Sequence, residues 1–541
     1  MTHIAIIGGG PTAIYTLKGL TRARKAVSIT LFEREPWAGP GMPYRDGTND
    51  PAMLANIASR EVPRVTRTLA KYLHACDDGF LRRLGLTRDV IDEDSFYPRV
   101  VLGSFFTAEL AEVVARLRGL GHTVTIRTKA RVTDIVPARD GVRIEWQSTQ
   151  RPEKARFHHV VIATGHDWAD YDEEGEDESA LLSPWPAERL KALSGEVGIL
   201  GSSLTAIDVA VTVASAHGAF EGEDGDTTTY AVRGSDDPFR LTMMSRKGLL
   251  PEADWYYPLP LPDLAHFTPA AVEDLVATDR SGLLDRAFAL LVEDLRDLDP
   301  DYAASVDLSS PEALSKSHFA PRMSSDLWEY ARANLVEAEE GRRTRRAVPW
   351  RVALLTAHEV FEDLIPHFDE ADLERFHNSL KPIFTDGYAS VPHPSIRRLL
   401  ALHDAGRLEL VRIGSALDVS ETGGKTVIGS EGEMLRFDAV VDARGQRPMR
   451  LTDLGFRSLS RSVRPGWEKG GYSLTIEGLE KGTVQCLAMP VLLRRRPFIQ
   501  GLVNAAEMGE TAAEAILAEL PAPPMPRPGL TSMKPGLRLA R

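Results

Sequence analysis

Cysteine is almost absent from this chain of 541 residues, and its scarcity excludes several classes of protein. The two cysteines, Cys76 and Cys486, lie far apart in the sequence. A disulfide framework, a zinc ribbon and an enzyme that works through neighbouring cysteines all need more cysteines or closer ones. Because disulfides belong to oxidising compartments, their exclusion favours a cytoplasmic protein.

Long apolar runs and a surplus of positive charge are also missing. No stretch of about 18 apolar residues occurs, so no membrane-spanning helix is expected. The formal net charge of −13 argues against nucleic acid and anionic membranes as partners. The predicted strand that starts at residue 3 leaves no length for a signal peptide. The expected partners are therefore a small-molecule substrate and O2, and a homo-oligomer stays open.

The clearest motif that the chain does contain lies at its start. Residues 3–7 (His-Ile-Ala-Ile-Ile) predict a buried strand, and residues 8–13 (Gly-Gly-Gly-Pro-Thr-Ala) follow as G-x-G-x-x-A before a predicted helix at 14–24. The first glycine permits a tight turn, the second lets a pyrophosphate approach, and the alanine lets the helix pack closely. The helix N-terminus adds unpaired N–H groups for phosphate. The candidate contacts are Gly8, Gly10, Pro11, Thr12 and Ala13.

An acidic residue after the second predicted strand completes this dinucleotide motif. The strand covers residues 27–32 and ends at Glu33, close to the spacing of a carboxylate that binds a ribose hydroxyl. A loop rich in glycine and proline follows at 36–44 and is expected to lie over the cofactor. Further candidate contacts are Arg34, Met42, Tyr44 and Asn56. Tyr44 and Asn56 fit an ordinary turn or core position equally well.

The same pattern recurs in a looser form near residue 200. A predicted strand at 197–200 precedes Gly-Ser-Ser-Leu-Thr-Ala, in which a serine replaces the second glycine. The candidate contacts are Gly201, Ser202, Ser203 and Thr205. The next predicted strand, at 241–245, ends in Ser245, Arg246 and Lys247 instead of an acid. Cations and hydroxyls suit the 2′-phosphate of NADPH better than the bare ribose of NADH, although a basic pair also fits plain surface charge.

The rest of the chain alternates between α/β and helical character. Residues 123–127, 131–136 and 142–146 predict three strands of a small β unit, which leads to a strand ending in Ala163, Thr164 and Gly165. From about residue 249 to 402 helical periodicity dominates, and residues 319–322 are expected to lead into a helix at 325–337. Strands return at 408–413, 416–419 and 425–428.

The last part of the chain repeats the crossing and adds a helix. An Ala-x-Gly sequence, with Arg444 in the middle, follows a strand at 437–442. A strand is predicted at 484–489 and an Ala-rich helix at about 511–520, and Leu502 and Asn504 before it are further cofactor candidates. The tail at 521–541 is rich in proline and basic residues and is expected to be flexible.

Two nucleotide motifs, each followed by a strand that ends in Ala-x-Gly, resemble the FAD- and NAD(P)-dependent flavoprotein superfamily. Residues 8–11, 41–44, 163–166, 244–251 and 501–506 are similar to a bacterial group related to the flavin-dependent N-hydroxylating monooxygenases. Some members of that group oxidise the amino group of aspartate towards nitrosuccinate. The resemblance implies that NADPH reduces FAD, that dioxygen forms a flavin hydroperoxide, and that an amine attacks its distal oxygen.

The predicted fold class is therefore α/β, with two Rossmann-like dinucleotide-binding domains and a mostly helical insertion. Since the second motif suits NADPH, the first is assigned to FAD. The predicted domains are 1–190 with 437–520 for FAD, 191–250 with 403–436 for NAD(P)H, 251–402 as a helical substrate or lid insertion, and 521–541 as the tail.

The resemblance also implies a small, acidic amino acid as substrate, whose carboxylates need cations. The candidates are Arg99, Arg322, Arg351, Lys381 and Arg397, each of which also suits an ordinary helix surface. The sequence contains no metal-ligand motif, and no acid–base residue can be assigned. Two alternatives stay open. One is a carbon- or sulfur-oxidising monooxygenase of the Baeyer–Villiger type, and the other is a non-catalytic FAD-binding redox protein.

Overall fold

The structure is a computed structural model that describes residues 1–149, 151–166, 181–222, 227–234, 239–430, 433–467 and 471–520. The tail predicted at 521–541 lies outside these ranges. The first region contains β1 (Thr2–Ile7), α1 (Pro11–Leu20), β2 (Val27–Phe32), β3 (Leu54–Ala58), α2 (Leu69–Ala75), α3 (Asp78–Arg83), β4 (Phe96–Pro98), α4 (Arg99–Gly119), β5 (Thr123–Arg127), β6 (Arg131–Ala138), β7 (Gly141–Gln147), β8 (Pro152–Phe157) and β9 (His159–Ile162). The second contains α5 (Ala187–Lys191), β10 (Glu196–Leu200), α6 (Leu204–His217), β11 (Gly218–Glu221), β12 (Thr229–Val232) and β13 (Arg240–Ser245).

Helices fill the middle of the chain, and strands return after them. The helices are α7 (Pro269–Thr278), α8 (Leu283–Leu298), α9 (Pro300–Ser305), α10 (Pro311–Ser324), α11 (Leu327–Thr344), α12 (Pro349–Leu364), α13 (Glu370–Asn378), α14 (Leu380–Tyr388) and α15 (His393–Asp404). The last region contains β14 (Leu408–Arg412), β15 (Asp418–Thr422), β16 (Lys425–Ser430), β17 (Glu433–Phe437), β18 (Ala439–Asp442), α16 (Arg457–Ser462), β19 (Thr483–Cys486), α17 (Met489–Leu492) and α18 (Leu502–Glu519).

The first large sheet has the strand order β19-β9-β1-β2-β5. Each neighbouring pair in it is parallel. Strand β1 lies in the middle of this sheet. Its residues Ile4 and Ile6 are fully buried, and their apolar side chains suit a strand that is covered on both faces. The carboxyl ends of β1 and β9 lie side by side at the switch point, where open α/β sheets bind ligands.

The second large sheet has the order β14-β13-β10-β18 and is also parallel. Strand β10 takes the central place that β1 has in the first sheet. The α/β fold with two parallel nucleotide-type sheets is therefore confirmed. The domain boundaries stay a prediction, and we note that β18 pairs with β10 although it follows residue 437.

Four local predictions differ from the structure. Strand β5 is the edge of the first parallel sheet because it pairs with β2, and the small antiparallel sheet is β6-β7-β8 instead. The predicted strand at 437–442 is divided between the end of β17 and β18. Residues 319–322 lie inside α10, which continues for three residues past Pro321 even though proline removes a helical N–H. Helix α18 begins at Leu502, well before residue 511, because Gly501 ends the loop as the N-cap residue.

The helical middle region has an apolar core of its own. Helices α8, α12, α13 and α14 each contribute buried side chains to it. Examples, in that order, are Leu291, Phe361, Phe376 and Phe384. Their spacing along each helix places them on one face, as the sequence periodicity predicts. Within the described ranges, no helix is long and apolar enough to cross a membrane.

Candidate functional site

The turn after β1 is built so that only glycine fits its first position. Gly8 has φ +102°, and a Cβ there would lie 2.2 Å from the carbonyl oxygen of Ala163. The Gly8 N–H donates to the Phe32 carbonyl at 2.8 Å. The turn is thereby fixed between β2 and the Ala163–Gly165 crossing, at the carboxyl edge of the sheet.

The predicted loop at 36–44 lies on this turn and forms a cradle with it. The Gly39 N–H donates to the Gly9 carbonyl at 2.7 Å, and a Cβ on Gly10 would lie 3.3 Å from Gly41 Cα. Gly10 is the N-cap of α1 without a side-chain cap bond, and Pro11 follows as the first helical residue. The next N–H groups of α1 therefore remain available to a phosphate.

Glu33 stands beside the cradle with its carboxylate already oriented. It is 7% exposed. Its Oε2 accepts the Gly9 N–H and its Oε1 accepts the Glu35 N–H, both at 2.9 Å. Each carboxylate oxygen keeps a lone pair for a ribose hydroxyl. The neighbouring Arg34 is exposed and pairs loosely with Glu35, with 3.5 Å between Nε and Oε1.

Polar atoms further along the cradle are buried without a partner among the described residues. These atoms are Asn56 Oδ1 on β3 and His166 Nδ1, directly after Gly165. The Tyr44 ring packs against Phe106 with 5.9 Å between centroids, and burial raises the pKa of Tyr44. Because an unpaired buried polar atom is costly, a polar group of a bound cofactor would stabilise this wall. The residues present therefore fit FAD.

The remaining candidates of the first motif occupy plain positions in the fold. Thr12 and Ala13 are buried in the first turn of α1. Met42 begins a short 3₁₀ turn with Tyr44, and Thr164 is exposed at the crossing. On α18, Leu502 is buried, and the Asn504 Oδ1 accepts the Gly501 N–H at 3.3 Å.

The second motif has the same construction as the first. Gly201 has φ +124°, and a Cβ there would lie 2.6 Å from the carbonyl oxygen of Ala443. Ser203 is the exposed N-cap of α6 and makes no side-chain cap bond, so the first turn of α6 is open, with Thr205 in it. The Ser202 hydroxyl donates to the Leu249 carbonyl at 2.6 Å. The replacement of glycine by serine thus preserves the turn.

Two cations follow β13, and one is exposed while the other packs against the helical region. Arg246 is exposed and makes no ion pair within the described ranges. Lys247 places Nζ 3.2 Å from the ring centroid of Phe319, and burial lowers its pKa to about 8. Ser245 ends β13 and pairs with the end of β14.

An ion pair joins the helices that begin near the two nucleotide motifs. Arg99, the first residue of α4, lies 2.8 Å from Asp208 on α6, between Nη2 and Oδ2. Asp208 is buried, and that burial raises its pKa to about 6 against the opposing effect of Arg99. Arg99 therefore connects the first nucleotide region to the second, which its place in the sequence did not indicate.

The substrate candidates in the helical region are mostly paired already. Arg322 pairs with Asp386 and also donates to the Leu250 carbonyl at 2.7 Å. Arg351 lies 3.1 Å from Glu252. Arg397 lies 2.6 Å from Glu339, whereas Lys381 makes no ion pair in the part of the chain that is described.

A group of carboxylates near α18 was not singled out from the sequence. Glu359 and Glu362 lie on α12, and Glu507 lies on the second turn of α18. Burial raises the pKa of each, that of Glu362 to about 7, and Glu507 raises the pKa of the other two further. Arg496 opposes the rise at Glu362, and none of the three carboxylates makes a close ion pair among the described residues. In sequence they resemble an ordinary charged helix face, so only the approach of α18 to α12 reveals them.

Two parallel sheets, each with a glycine turn against an Ala-x-Gly crossing, define a protein that binds two dinucleotides. Residues 5–167 match the FAD-NAD(P)-binding family, and residues 268–388 match the YdhS-like middle domain. The uncharacterized protein YdhS of Escherichia coli (strain K12) is 36% identical over 525 residues, which cover 96% of this chain and 98% of that protein. The chain belongs to the YdhS family. The predicted cofactors, FAD and a nicotinamide nucleotide, are those of the family that residues 5–167 match.

Solved structures share this fold over nearly the whole chain. The reduced form of the ornithine hydroxylase PvdA from Pseudomonas aeruginosa has a TM-score of 0.52 at 13% identity, covering 96% of this chain and 99% of that one. DfoA from Erwinia amylovora, a cadaverine monooxygenase bound to FAD, has a TM-score of 0.51 at 13% identity, covering 99% of both. The ornithine N-hydroxylase KtzI of Kutzneria sp. 744 has a TM-score of 0.50 at 15% identity, covering 95% and 99%. The predicted resemblance to the fold of N-hydroxylating monooxygenases is confirmed, and the aspartate-oxidising group stays a prediction.

Proposed function

We propose that this chain is an FAD-dependent, NADPH-consuming monooxygenase that oxygenates an amino group. The observation that carries the proposal is the pair of matching glycine turns, joined by the ion pair of Arg99 with Asp208. Two such turns in one molecule suit a flavin nucleotide and the nicotinamide nucleotide that reduces it. The amine is proposed because two proteins of similar fold are an ornithine hydroxylase and a cadaverine monooxygenase.

The residues of this chain would bind and orient the cofactors. Glu33 would accept the ribose hydroxyls of FAD, and the N-terminus of α1 would receive its pyrophosphate. The Oδ1 of Asn56 and the Nδ1 of His166, which have no hydrogen-bond partner among the described residues, would each gain one. Bound FAD would supply the redox and oxygen-transfer chemistry, and the helical region would exclude water from it.

The contacts favour a substrate that binds as a cation. The acidic amino acid predicted from the sequence needs unpaired cations, yet Arg322, Arg351 and Arg397 are paired with carboxylates. Glu359, Glu362 and Glu507 form an acidic group that makes no close ion pair among the described residues, although Arg496 acts on Glu362. A second positive charge on the substrate would relieve their mutual repulsion. We therefore propose cationic amines ahead of acidic amino acids.

A substrate panel tests the reaction and its class together. The flavin of the purified holoprotein is identified first, and NADPH oxidation is then followed with ornithine, lysine, cadaverine, aspartate and glutamate. We expect a cationic amine to stimulate NADPH oxidation and to gain oxygen on nitrogen, detected by mass spectrometry. Stimulation by aspartate alone would restore the acidic substrate, and oxygen on carbon or sulfur would favour the Baeyer–Villiger-type alternative.

A flavin that NADPH does not reduce would contradict the enzymatic proposal as a whole. The remaining interpretation of the two nucleotide motifs would then be a non-catalytic FAD-binding redox protein. NADH oxidised faster than NADPH would contradict the choice of NADPH, and with it the assignment of Arg246 and Lys247 to a 2′-phosphate, but not the oxygenation of an amine.

A further inference from the structure

Cations lie close together at the carboxyl end of β13, where Asp386, already paired with Arg322, is the carboxylate that acts on one of them, Lys247. Arg246 and Lys247 follow β13 directly, and Arg412 ends the neighbouring strand β14 opposite Ser245. Lys381 lies in the first turn of α14. None of these four cations has an ion pair within the described ranges. Because like charges held close together repel, a bound anion would stabilise this edge.

The backbone after Lys247 brings two of these cations to one edge. Gly248 has φ +66°, and a Cβ there would lie 2.9 Å from Arg412 Cβ. The chain leaving β13 therefore crosses directly over the end of β14. Arg246 and Arg412 are both exposed at this place, which is the strand end that recognises the adenosine ribose in a nucleotide fold.

The helical region reaches the same edge. Lys247 is directed into it, since Nζ lies on the Phe319 ring of α10, and α10 is tied to α14 by the pair of Arg322 with Asp386. Lys381 is half-buried on that α14. Burial and then the charge of Arg246 lower the pKa of Lys381, so the two cations act on each other.

We propose that Arg246, Arg412 and Lys381 together bind the 2′-phosphate of NADPH, so that the helical middle region takes part in nucleotide selectivity. Lys247 packs on Phe319 and makes no contact with the phosphate. A phosphate monoester dianion fits because it brings two negative charges to cations that lack them. The inference rests on the NADPH assignment in the proposed function.

Calorimetric titration of the FAD-loaded protein tests this site without turnover. The probes are 2′,5′-ADP and 5′-ADP, and the variants are Lys381→Gln, Arg246→Gln and Arg412→Gln. We expect each substitution to weaken 2′,5′-ADP binding about tenfold, as the loss of one charge-assisted contact would, and to leave 5′-ADP binding unchanged. Lys316→Gln, an exposed lysine on α10, is the matched control, and Lys381→Arg should retain binding.

Two results would overturn the inference. One is a Lys381→Gln protein that unfolds at the wild-type temperature and either binds 2′,5′-ADP as tightly as the wild type does or loses affinity for 2′,5′-ADP and 5′-ADP to the same extent. The other is a Lys247→Met protein that loses the 2′-phosphate preference as Arg246→Gln does. A wild-type protein that prefers 2′,5′-ADP but oxygenates no amine would contradict only the proposed reaction. One that oxygenates an amine without that preference would contradict only this site.

Discussion

Glu33 has two roles at the first nucleotide turn. Its two oxygens hold the N–H groups of Gly9 and Glu35, which fixes the shape of the turn before any ligand binds. Its remaining lone pairs are available to ribose hydroxyls. The spacing of a strand end after a glycine motif is enough to predict the carboxylate. Its bond to Gly9 depends on the folded turn and could not be predicted.

The substitution Glu33→Gln should lower FAD occupancy. A glutamine amide brings an N–H₂ group to a place where both oxygens accept N–H bonds, so one of those bonds is lost along with the charge. We expect FAD affinity to fall about tenfold or more, measured as the flavin-to-protein ratio and by titration of the apoprotein. Glu112→Gln, at an exposed carboxylate on α4, should leave both unchanged, and equal effects of the two substitutions would contradict the role of Glu33.

Asp208 should give the stability of the protein a recognisable pH dependence. Its pKa is raised to about 6 by burial, so the folded protein binds this proton more tightly than the unfolded chain does. The stability that it contributes is present below about pH 4 and is lost as the pH rises through 6. In Asp208→Asn, the free energy of unfolding should fall by roughly 1–3 kcal/mol less over this pH range than it does in the wild type, as measured by urea unfolding. The exposed Asp301→Asn should keep the wild-type slope, and an Asp208→Asn slope as steep as that of the wild type would contradict the assignment.

Helices α1 and α18 approach closely at small residues, and this contact supports the first nucleotide turn. A Cβ on Gly509 would lie 2.8 Å from the Thr12 carbonyl oxygen and from the Thr16 N–H nitrogen. A Cβ on Gly19 would lie 2.5 Å from Ala513 Cβ. The N-terminal part of α1, which is proposed to receive the phosphate, is therefore positioned by a helix from the far end of the chain.

The substitution Gly509→Ala should destabilise this contact. The added methyl group meets backbone atoms that cannot rotate away, so we expect a loss of about 1–3 kcal/mol in the free energy of unfolding, with reduced FAD retention. The control is Gly119→Ala at the end of α4, where an added Cβ would meet no atom within 4 Å, so this substitution should be neutral or stabilising. Equal stabilities of the two variants in denaturant titration would count against the packing account.

Glu252 connects three helices of the middle region. It pairs with Arg351, lies 3.6 Å from Arg322, and accepts the Tyr330 hydroxyl at 2.8 Å. Because Glu252, Arg322 and Arg351 are each about 7% exposed, removing the carboxylate leaves buried cations poorly compensated. These contacts join residues almost a hundred positions apart, so helical periodicity alone could not predict them.

The substitution Glu252→Gln should therefore cost about 3 kcal/mol or more of stability. Glu337→Gln is the control, since Glu337 also faces Arg351, at 3.6 Å, but is 56% exposed and should cost under about 1 kcal/mol. Thermal unfolding of both proteins at one pH distinguishes them. A Glu252→Gln protein as stable as Glu337→Gln would show that the buried network is dispensable.

At the scale of the whole molecule, two parallel sheets of one design are accompanied by a helical region with its own apolar core. The two sheets could be predicted because each repeats a strand, a glycine turn and a helix within about 20 residues. The early start of α18 could not, since the glycine and asparagine before Ala505 have the composition of a loop. The ion pair of Arg99 with Asp208 joins regions that are distant in sequence, and only the folded chain places them together.

We propose that this chain transfers oxygen from dioxygen to an amine at the expense of NADPH. The most direct test of this proposal is turnover under isotopically labelled dioxygen, with NADPH and the amine that most stimulates NADPH oxidation, followed by fragment mass spectrometry of the product. The account predicts one labelled oxygen on the nitrogen of that amine. An unchanged amine, with all label recovered in hydrogen peroxide or water, would contradict it.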